Sequence, residues 1–338
     1  MINIVYRLKS PKFFEQTIND IELDETIVRP TYLSICQADQ RYYQGSRPVE
    51  ILEKKLPMAL IHEGIGEVVY DKSGEFKSGD KVVMIPNTPV KDSIYKYNYS
   101  YDSKFRGSGY DGFTSDLVKL NNDRLVKIPD NFNLNVSAFI ELISVAYQGI
   151  TKFKEIKSTP IDNIGIWGDG NLGFITSLLL KEKFPDSKII VFGKHLENLN
   201  LFSFADEVYQ IHNVPEDVSV DHAFECVGSV ASQSAIDQII DLINPQGTIN
   251  LFGVSEYPIS INTRMVLEKG ITIQGNSRSE REDFIGVVET LQYNLKLFEY
   301  LEKLVTNIYE INTLEDLRNA FDKDYTSSFG KTILKWNI

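Results

Sequence analysis

Cysteine is scarce in this chain. Two occur in 338 residues, Cys36 and Cys226, with no paired spacing. That count excludes a disulfide framework and a four-cysteine zinc knot, and it suits a reducing cytoplasm. Long hydrophobic runs are missing as well. Segments such as GFITSLLL stop at a lysine, well short of the roughly 18 residues a membrane span requires. The amino-terminal MINIVYRLKSPKFF has no apolar signal-peptide core, so neither export nor anchoring is expected. Basic residues are outnumbered, 35 Lys and Arg against 47 Asp and Glu, for a net charge of -12. Such a field repels phosphate and argues against non-specific binding to nucleic acid or to an anionic membrane. An anionic ligand must therefore meet a local basic cluster. Internal repeats and low-complexity segments are also absent.

What is present belongs to an ordinary globular chain: 42% hydrophobic and 24% charged residues, at a length that implies two domains. Residues 1–135 read as short β-branched or alternating runs (ETIVRPTYLSI, GIGEVVY, SGDKVVMI, FTSDLVKL) broken by Gly, Pro, Asn and Asp, the texture of an antiparallel, barrel-like β domain. From about residue 160, buried strands alternate with helical stretches (NIGIWG, NLGFITSLLLKEKF, KIIVFG, VDHAFECVG, GTINLFG, GITIQGN), which implies βαβ units in a parallel sheet. After about residue 280 come a helical REDFIGVVETLQYN, then LVTNIYEI, a helix near LEDLRNAF and a strand KTILKW, a tail expected to return to the first domain. The expected division is 1–143 with 279–338, and 144–278. KDSIYKYNYSYDSKF, residues 91–105, reads as an irregular surface loop.

Gly168-x-Gly170-x-x-Gly173 follows the buried strand NIGIW and opens an apolar helix, with Asn171 and Leu172 between the second and third glycines. In that context the first glycine permits the tight turn, the second lets a pyrophosphate approach the backbone, and the third lets helix and strand pack closely. The helix N-terminus supplies free N–H groups to the phosphates. The next strand ends in GKHLENL, putting Gly193, Lys194 and His195 where an NAD enzyme presents an acid to the ribose; no carboxylate follows until Glu197. NADP(H) is the favoured cofactor.

Three further oddities form a set. Cys36 stands three residues before Asp39 in YLSICQADQRYYQG, His62 and Glu63 head a strand in LPMALIHEGIGEVVY, and Glu141 interrupts the apolar AFIELISVAYQGI. Singly, these are a small buried hydrophobe, a satisfied core histidine and a helix-start charge. Together they carry the thiolate, imidazole and carboxylate that a catalytic zinc takes as three protein ligands with one open position.

Taken in order, Cys36-x-x-Asp39, HEGIGEVV, GDKVVMIP, GYDGFTSDLVKL, Glu141, the glycine turn and VDHAFECVG resemble the medium-chain, zinc-dependent alcohol and polyol dehydrogenases across essentially the whole chain. The resemblance implies an α/β protein, with a GroES-like β-barrel-type catalytic domain and a Rossmann doubly wound parallel-sheet cofactor domain. It implies one catalytic zinc on Cys36, His62, Glu63 and Glu141, with Asp39 orienting the histidine. Three departures stand out: residues 86–110 hold no cysteine, so the family's structural zinc is not expected; Ala38 replaces a proton-relaying Ser or Thr; and the cofactor strand lacks its acid. More narrowly, RPTYLSICQADQRYYQG, LPMALIHEGIGEVV and FGKHLENL resemble the ribulose-5-phosphate reductases that make ribitol 5-phosphate for CDP-ribitol, a precursor of teichoic acids and ribitol-containing capsules. That likeness implies reduction of D-ribulose 5-phosphate by NADPH, and functional pairing with a cytidylyltransferase. A homodimer through an edge at MVLEKGITIQGN is also implied.

For the substrate phosphate, Arg41 and Arg47 in QRYYQGSRP are the candidates, because arginine contacts phosphate bidentately, with Lys54, Lys55 and Arg106 as further choices. Lys331 and Arg278 fall where relatives bring late residues near the cofactor, or else at exposed strand ends. His212, His222 and Cys226 read as structural. Two rival functions remain: a zinc polyol dehydrogenase for an unphosphorylated sugar alcohol, and a dinucleotide-binding scaffold without turnover, which the retained ligand set argues against.

Overall fold

Pro30 interrupts a β-branched run, yet Thr26–Ser34 forms one nine-residue strand. Proline has no N–H for the ladder, and the pairing with Glu63–Tyr70 shifts register between Pro30 and Tyr32, where that donor is not needed. The computed structural model describes all residues except 91–92, 96–98, 158–159 and 327–328, so part of the 91–105 stretch lies outside the described residues. The chain divides into two units, Met1–Ser144 with Arg278–Ile338, and Val145–Ser277.

In the first unit Thr26–Ser34 is central to a sheet ordered Leu125–Lys127, Lys81–Met84, Glu63–Tyr70, Thr26–Ser34, Lys331–Trp336, Val305–Ile311, with Val118–Leu120 pairing to its start. All neighbours are antiparallel except Val305–Ile311 and Lys331–Trp336, which are parallel and joined by the helix Leu314–Tyr325. A second sheet holds Phe13–Asp20, Ile2–Ser10 and Met58–Ala59. Aromatic contacts join early and late segments in one core. Tyr43 packs on Phe14 and Phe321 at centroid distances of 5.7 and 4.8 Å, and Tyr6 meets Trp336 edge-on at 5.5 Å. Each such ring contributes on the order of 2–3 kcal/mol by its burial.

The second unit is a six-stranded parallel sheet ordered Glu207–Gln210, Lys188–Gly193, Asn163–Trp167, Val220–Glu225, Ile243–Leu251, Thr272–Gly275. Chain order thus runs outward from Asn163–Trp167 in both directions, the doubly wound pattern whose reversal point opens a crevice at the strand ends. Its central strands are buried on both faces, so they read as continuous apolar runs without alternation. The segment MVLEKGITIQGN is not one edge strand. MVLEK belongs to the helix Thr263–Lys269, which Gly270 stops in the left-handed conformation (φ 62°), and only Thr272–Gly275 is strand. No helix among the described residues is long and apolar enough to cross a membrane, and both cysteines are free.

Candidate active site

Cys36 stands at the N-cap of the helix Gln37–Tyr43, where its carbonyl oxygen accepts from Asp39 N at 3.0 Å while Asp39 Oδ2 accepts from Cys36 N at 3.1 Å. The other Asp39 oxygen accepts from Ile61 N at 2.9 Å and faces His62 Nδ1 at 3.6 Å. One buried carboxylate therefore fixes both segments that carry the suspected ligands. Ile61 has φ 67°, a conformation that β-branched residues rarely adopt, costing about 1–3 kcal/mol. That strain sits at the residue that turns His62 inward.

Candidate ligand atoms of Cys36, His62 and Glu63 all lie within 4.8 Å of one another, and His62 and Glu63 are buried. Thiolate, imidazole and carboxylate gathered this closely match the ligand set of a catalytic zinc. Burial works against a charged His62 ring, but Asp39 and Cys36 beside it outweigh that and hold its pKa well above the usual range. Glu141, buried in the first turn of the helix Ile140–Ile156, does not join the triplet. Burial pushes its carboxyl up to about 7, with the charges of Glu63 and Asp39 adding to the shift and those of His62 and Lys331 opposing it.

Lys331 is not an exposed strand end. It is 3% exposed, donates to Ile35 O at 2.8 Å and to Glu63 Oε1 at 3.0 Å, and approaches Oε2 at 2.8 Å without hydrogen-bond alignment. Burial pulls its pKa down, yet the charges of Glu63 and Cys36 raise it overall, so the ammonium stays charged. Sequence offered little signal here, because Lys331–Trp336 is buried at nearly every position and shows no alternation.

In the second unit the glycines separate into three geometries. Gly168 has φ 129°, and a Cβ there would lie 2.9 Å from Cys226 O; a Cβ on Gly173 would lie 1.9 Å from Gly168 O; Gly170 has nothing within 4 Å. A tight turn, a close helix–strand contact and an open approach are what a pyrophosphate cradle requires. Gly170 N-caps the helix Asn171–Lys183, which places Asn171 and Leu172 in its first turn. At the end of Lys188–Gly193 the structure departs from the sequence expectation, because a carboxylate does reach Lys194 and His195. Asp169, from the glycine turn itself, accepts from their backbone N–H groups at 2.8 and 2.6 Å and meets His195 Nδ1 at 3.1 Å. It comes from the neighbouring strand's loop, while the end of Lys188–Gly193 itself carries no acid before Glu197.

The other singled-out residues scatter. His222 is buried and accepts from Thr248 N through Nδ1, His212 is exposed, and Cys226 is half-buried with Sγ 3.8 Å from Thr176 Oγ1. Arg278 donates to Ser103 Oγ at 2.7 Å. Arg106 is a structural guanidinium, donating to Asp111 O and Lys119 O. Arg41 ends the helix Gln37–Tyr43, whereas Arg47 stacks on Tyr42 with its guanidinium carbon 4.3 Å from the ring centroid.

Comparisons with known proteins identify the family. Residues 22–130 match the alcohol dehydrogenase GroES-like domain, and residues 198–292 match the zinc-binding dehydrogenase domain. A ribulose-5-phosphate reductase from Bacillus spizizenii is 53% identical over the full length of both chains, and ribulose-5-phosphate reductase 1 from Staphylococcus aureus is 51% identical over 99% of each. The crystal structure of S. aureus TarJ in complex with NADPH superposes with a TM-score of 0.91 at 47% identity, covering all of both chains. Fold and site thus define a medium-chain, zinc-type dehydrogenase acting on a CH–OH group. Within that class, the chain belongs to the ribulose-5-phosphate reductase family.

Proposed function

We propose that this chain reduces D-ribulose 5-phosphate to D-ribitol 5-phosphate with NADPH, supplying the ribitol unit that a cytidylyltransferase activates for teichoic acid or capsule synthesis. The observation that carries it is the Cys36–His62–Glu63 cluster on a chain half identical, end to end, to named reductases of this substrate.

Cys36, His62 and Glu63 hold the zinc in this proposal, with Glu141 as the further carboxyl of the site. A metal held by these residues would supply Lewis-acid polarisation of the ketone C=O, and NADPH would supply hydride to that carbonyl carbon. The chain's own residues set the stage. Asp39 Oδ1, 3.6 Å from His62 Nδ1, favours a proton on that nitrogen and so leaves Nε2 for the metal. Lys331 neutralises Glu63 inside the core, so the cluster does not carry the uncompensated charge that burial penalises. Gly168, Gly170 and Gly173 shape the turn for the pyrophosphate, and the Lys194–His195 segment takes the adenosine ribose with its 2′-phosphate. Ala38 offers no hydroxyl, so the proton reaching the product oxygen does not pass through that position. Arg47, in the segment that follows the helix Gln37–Tyr43, is among the cations that receive the substrate's phosphate. Two copies pair through Thr272–Gly275, and the reaction takes place in the cytoplasm.

Purified, zinc-loaded protein should oxidise NADPH at least tenfold faster with ribulose 5-phosphate than with ribulose at equal concentration. Equal rates would indicate a dehydrogenase for an unphosphorylated polyol. NADPH binding without turnover on either sugar would indicate a scaffold.

A further inference from the structure

Tyr42, in the last turn of the helix Gln37–Tyr43, is 1% exposed, and its hydroxyl has no hydrogen-bond partner among the described residues. A buried hydroxyl left unpaired is costly unless a ligand completes it. Two cations from the segment that follows close on the same ring. The Arg47 guanidinium carbon is 4.3 Å from its centroid and the Lys55 ammonium 5.8 Å. Lys55 also donates to Ser108 Oγ at 2.9 Å. In a protein of net charge -12, two cations gathered around one aromatic ring form the local basic cluster that an anionic substrate needs.

The same cluster touches the loop that covers the metal candidate. The Phe105 ring lies 5.4 Å from the His62 ring, and a Cβ on Gly107 would sit 3.4 Å from His62 Nδ1. Ser108 follows Gly107 directly, and Gly109 lies over the Lys55 stem, where a Cβ would be 3.6 Å from Cγ. Successive Cα atoms are about 3.8 Å apart, so one residue of chain separates the contact with His62 from the contact with Lys55. In a pentulose 5-phosphate the reacting carbon and the phosphorus are separated by five single bonds, roughly 6 Å in all. Metal candidate and cation cluster thus border the same short loop.

We infer that Arg47 and Lys55, spaced by the Tyr42 ring and joined by Ser108, form the subsite that receives the phosphate monoester of the ketose. The inference rests on the proposed reaction and assigns the residues that select the phosphorylated sugar. Arg47 offers a planar fork already held by stacking, Lys55 a point charge, and the hydroxyls of Tyr42 and Ser108 two further donors. Arg41 is left out: adjacent helix positions do not face each other, so it points away from the side that Tyr42 presents.

The test compares kcat/KM for ribulose 5-phosphate and for ribulose in the zinc-loaded wild type and in Arg47→Met, Lys55→Met and Lys54→Met, the last being an exposed lysine that controls for loss of one charge. The phosphate preference is expected to fall about tenfold or more in Arg47→Met and in Lys55→Met, to stay unchanged in Lys54→Met, and to recover in part in Arg47→Lys. NADPH affinity, read by fluorescence titration, should be unaltered in all of them. Preference retained in both Met variants of a wild type that shows it would overturn the subsite and leave the reaction standing. A wild type without preference would overturn the reaction, and the subsite with it. Should the Met variants melt early, Ser108→Ala carries the test, with an expected drop of about threefold, and an unchanged ratio there counts against the subsite.

Discussion

At the scale of single residues, Lys331 and Glu63 set the electrostatics of the first unit. Both are almost wholly buried, and each is the other's counter-charge. Replacing Lys331 by Met leaves a buried carboxylate unpaired, a change that typically costs about 3–5 kcal/mol. Urea unfolding of the metal-free Lys331→Met protein should register a loss of that order, and zinc should recover part of it by supplying the missing positive charge; an unchanged midpoint would contradict the pairing. The pair also marks a limit of sequence reading. Cys36, His62 and Glu63 could be proposed as ligands because their chemistry is distinctive and their spacing family-like. Lys331 could not, because its partner lies 268 positions away and its strand shows no alternation.

At the scale of elements, the glycine turn was legible because its requirements are local. A buried strand, three glycines and an apolar helix follow one another without interruption, and the backbone has few ways to satisfy that order. The role of Asp169 was not legible, since it depends on which strand lies alongside: Asn163–Trp167 pairs in parallel with Lys188–Gly193 and so brings the turn next to Lys194 and His195. The three glycines make separable predictions. Gly170→Ala adds a methyl group into open space, so thermal stability should hold while NADPH affinity, measured by calorimetry, falls more than about tenfold as the pyrophosphate loses its approach. Gly173→Ala should lower both, because its methyl group meets the Gly168 carbonyl. Equal stability for the two variants would show that the turn relaxes more readily than its geometry implies.

At the scale of the whole molecule, the parallel sheet ends on Thr272–Gly275, where Ile273 is partly exposed, and the helix before it presents Leu267 with 81% of its surface exposed. An open strand edge beside apolar side chains is a liability unless it is paired, and a second copy supplies that pairing in the proposed dimer. Leu267→Asp combined with Ile273→Lys should shift the sedimentation coefficient from dimer to monomer without disturbing NADPH binding. A wild type that sediments as a monomer would dispose of the dimer. The change from short antiparallel runs to alternating strands and helices was visible in composition and periodicity. Which late strand joined which early one was not, because pairing between distant segments leaves no local pattern.

That distant pairing gives the protein a timetable. Thr26–Ser34 is translated early, yet the Tyr32–Ser34 end of one flank is covered by Lys331–Trp336, while Val118–Leu120 pairs with its start. At roughly 5–20 residues per second, the intervening stretch keeps that edge waiting for on the order of 15–60 s on the ribosome. Throughout that interval Glu63 has no ammonium beside it, and a prematurely released chain would present a bare strand to its neighbours. Arrival of the Lys331 strand therefore extends the sheet and neutralises Glu63 in one event, so assembly of this centre waits for that late strand.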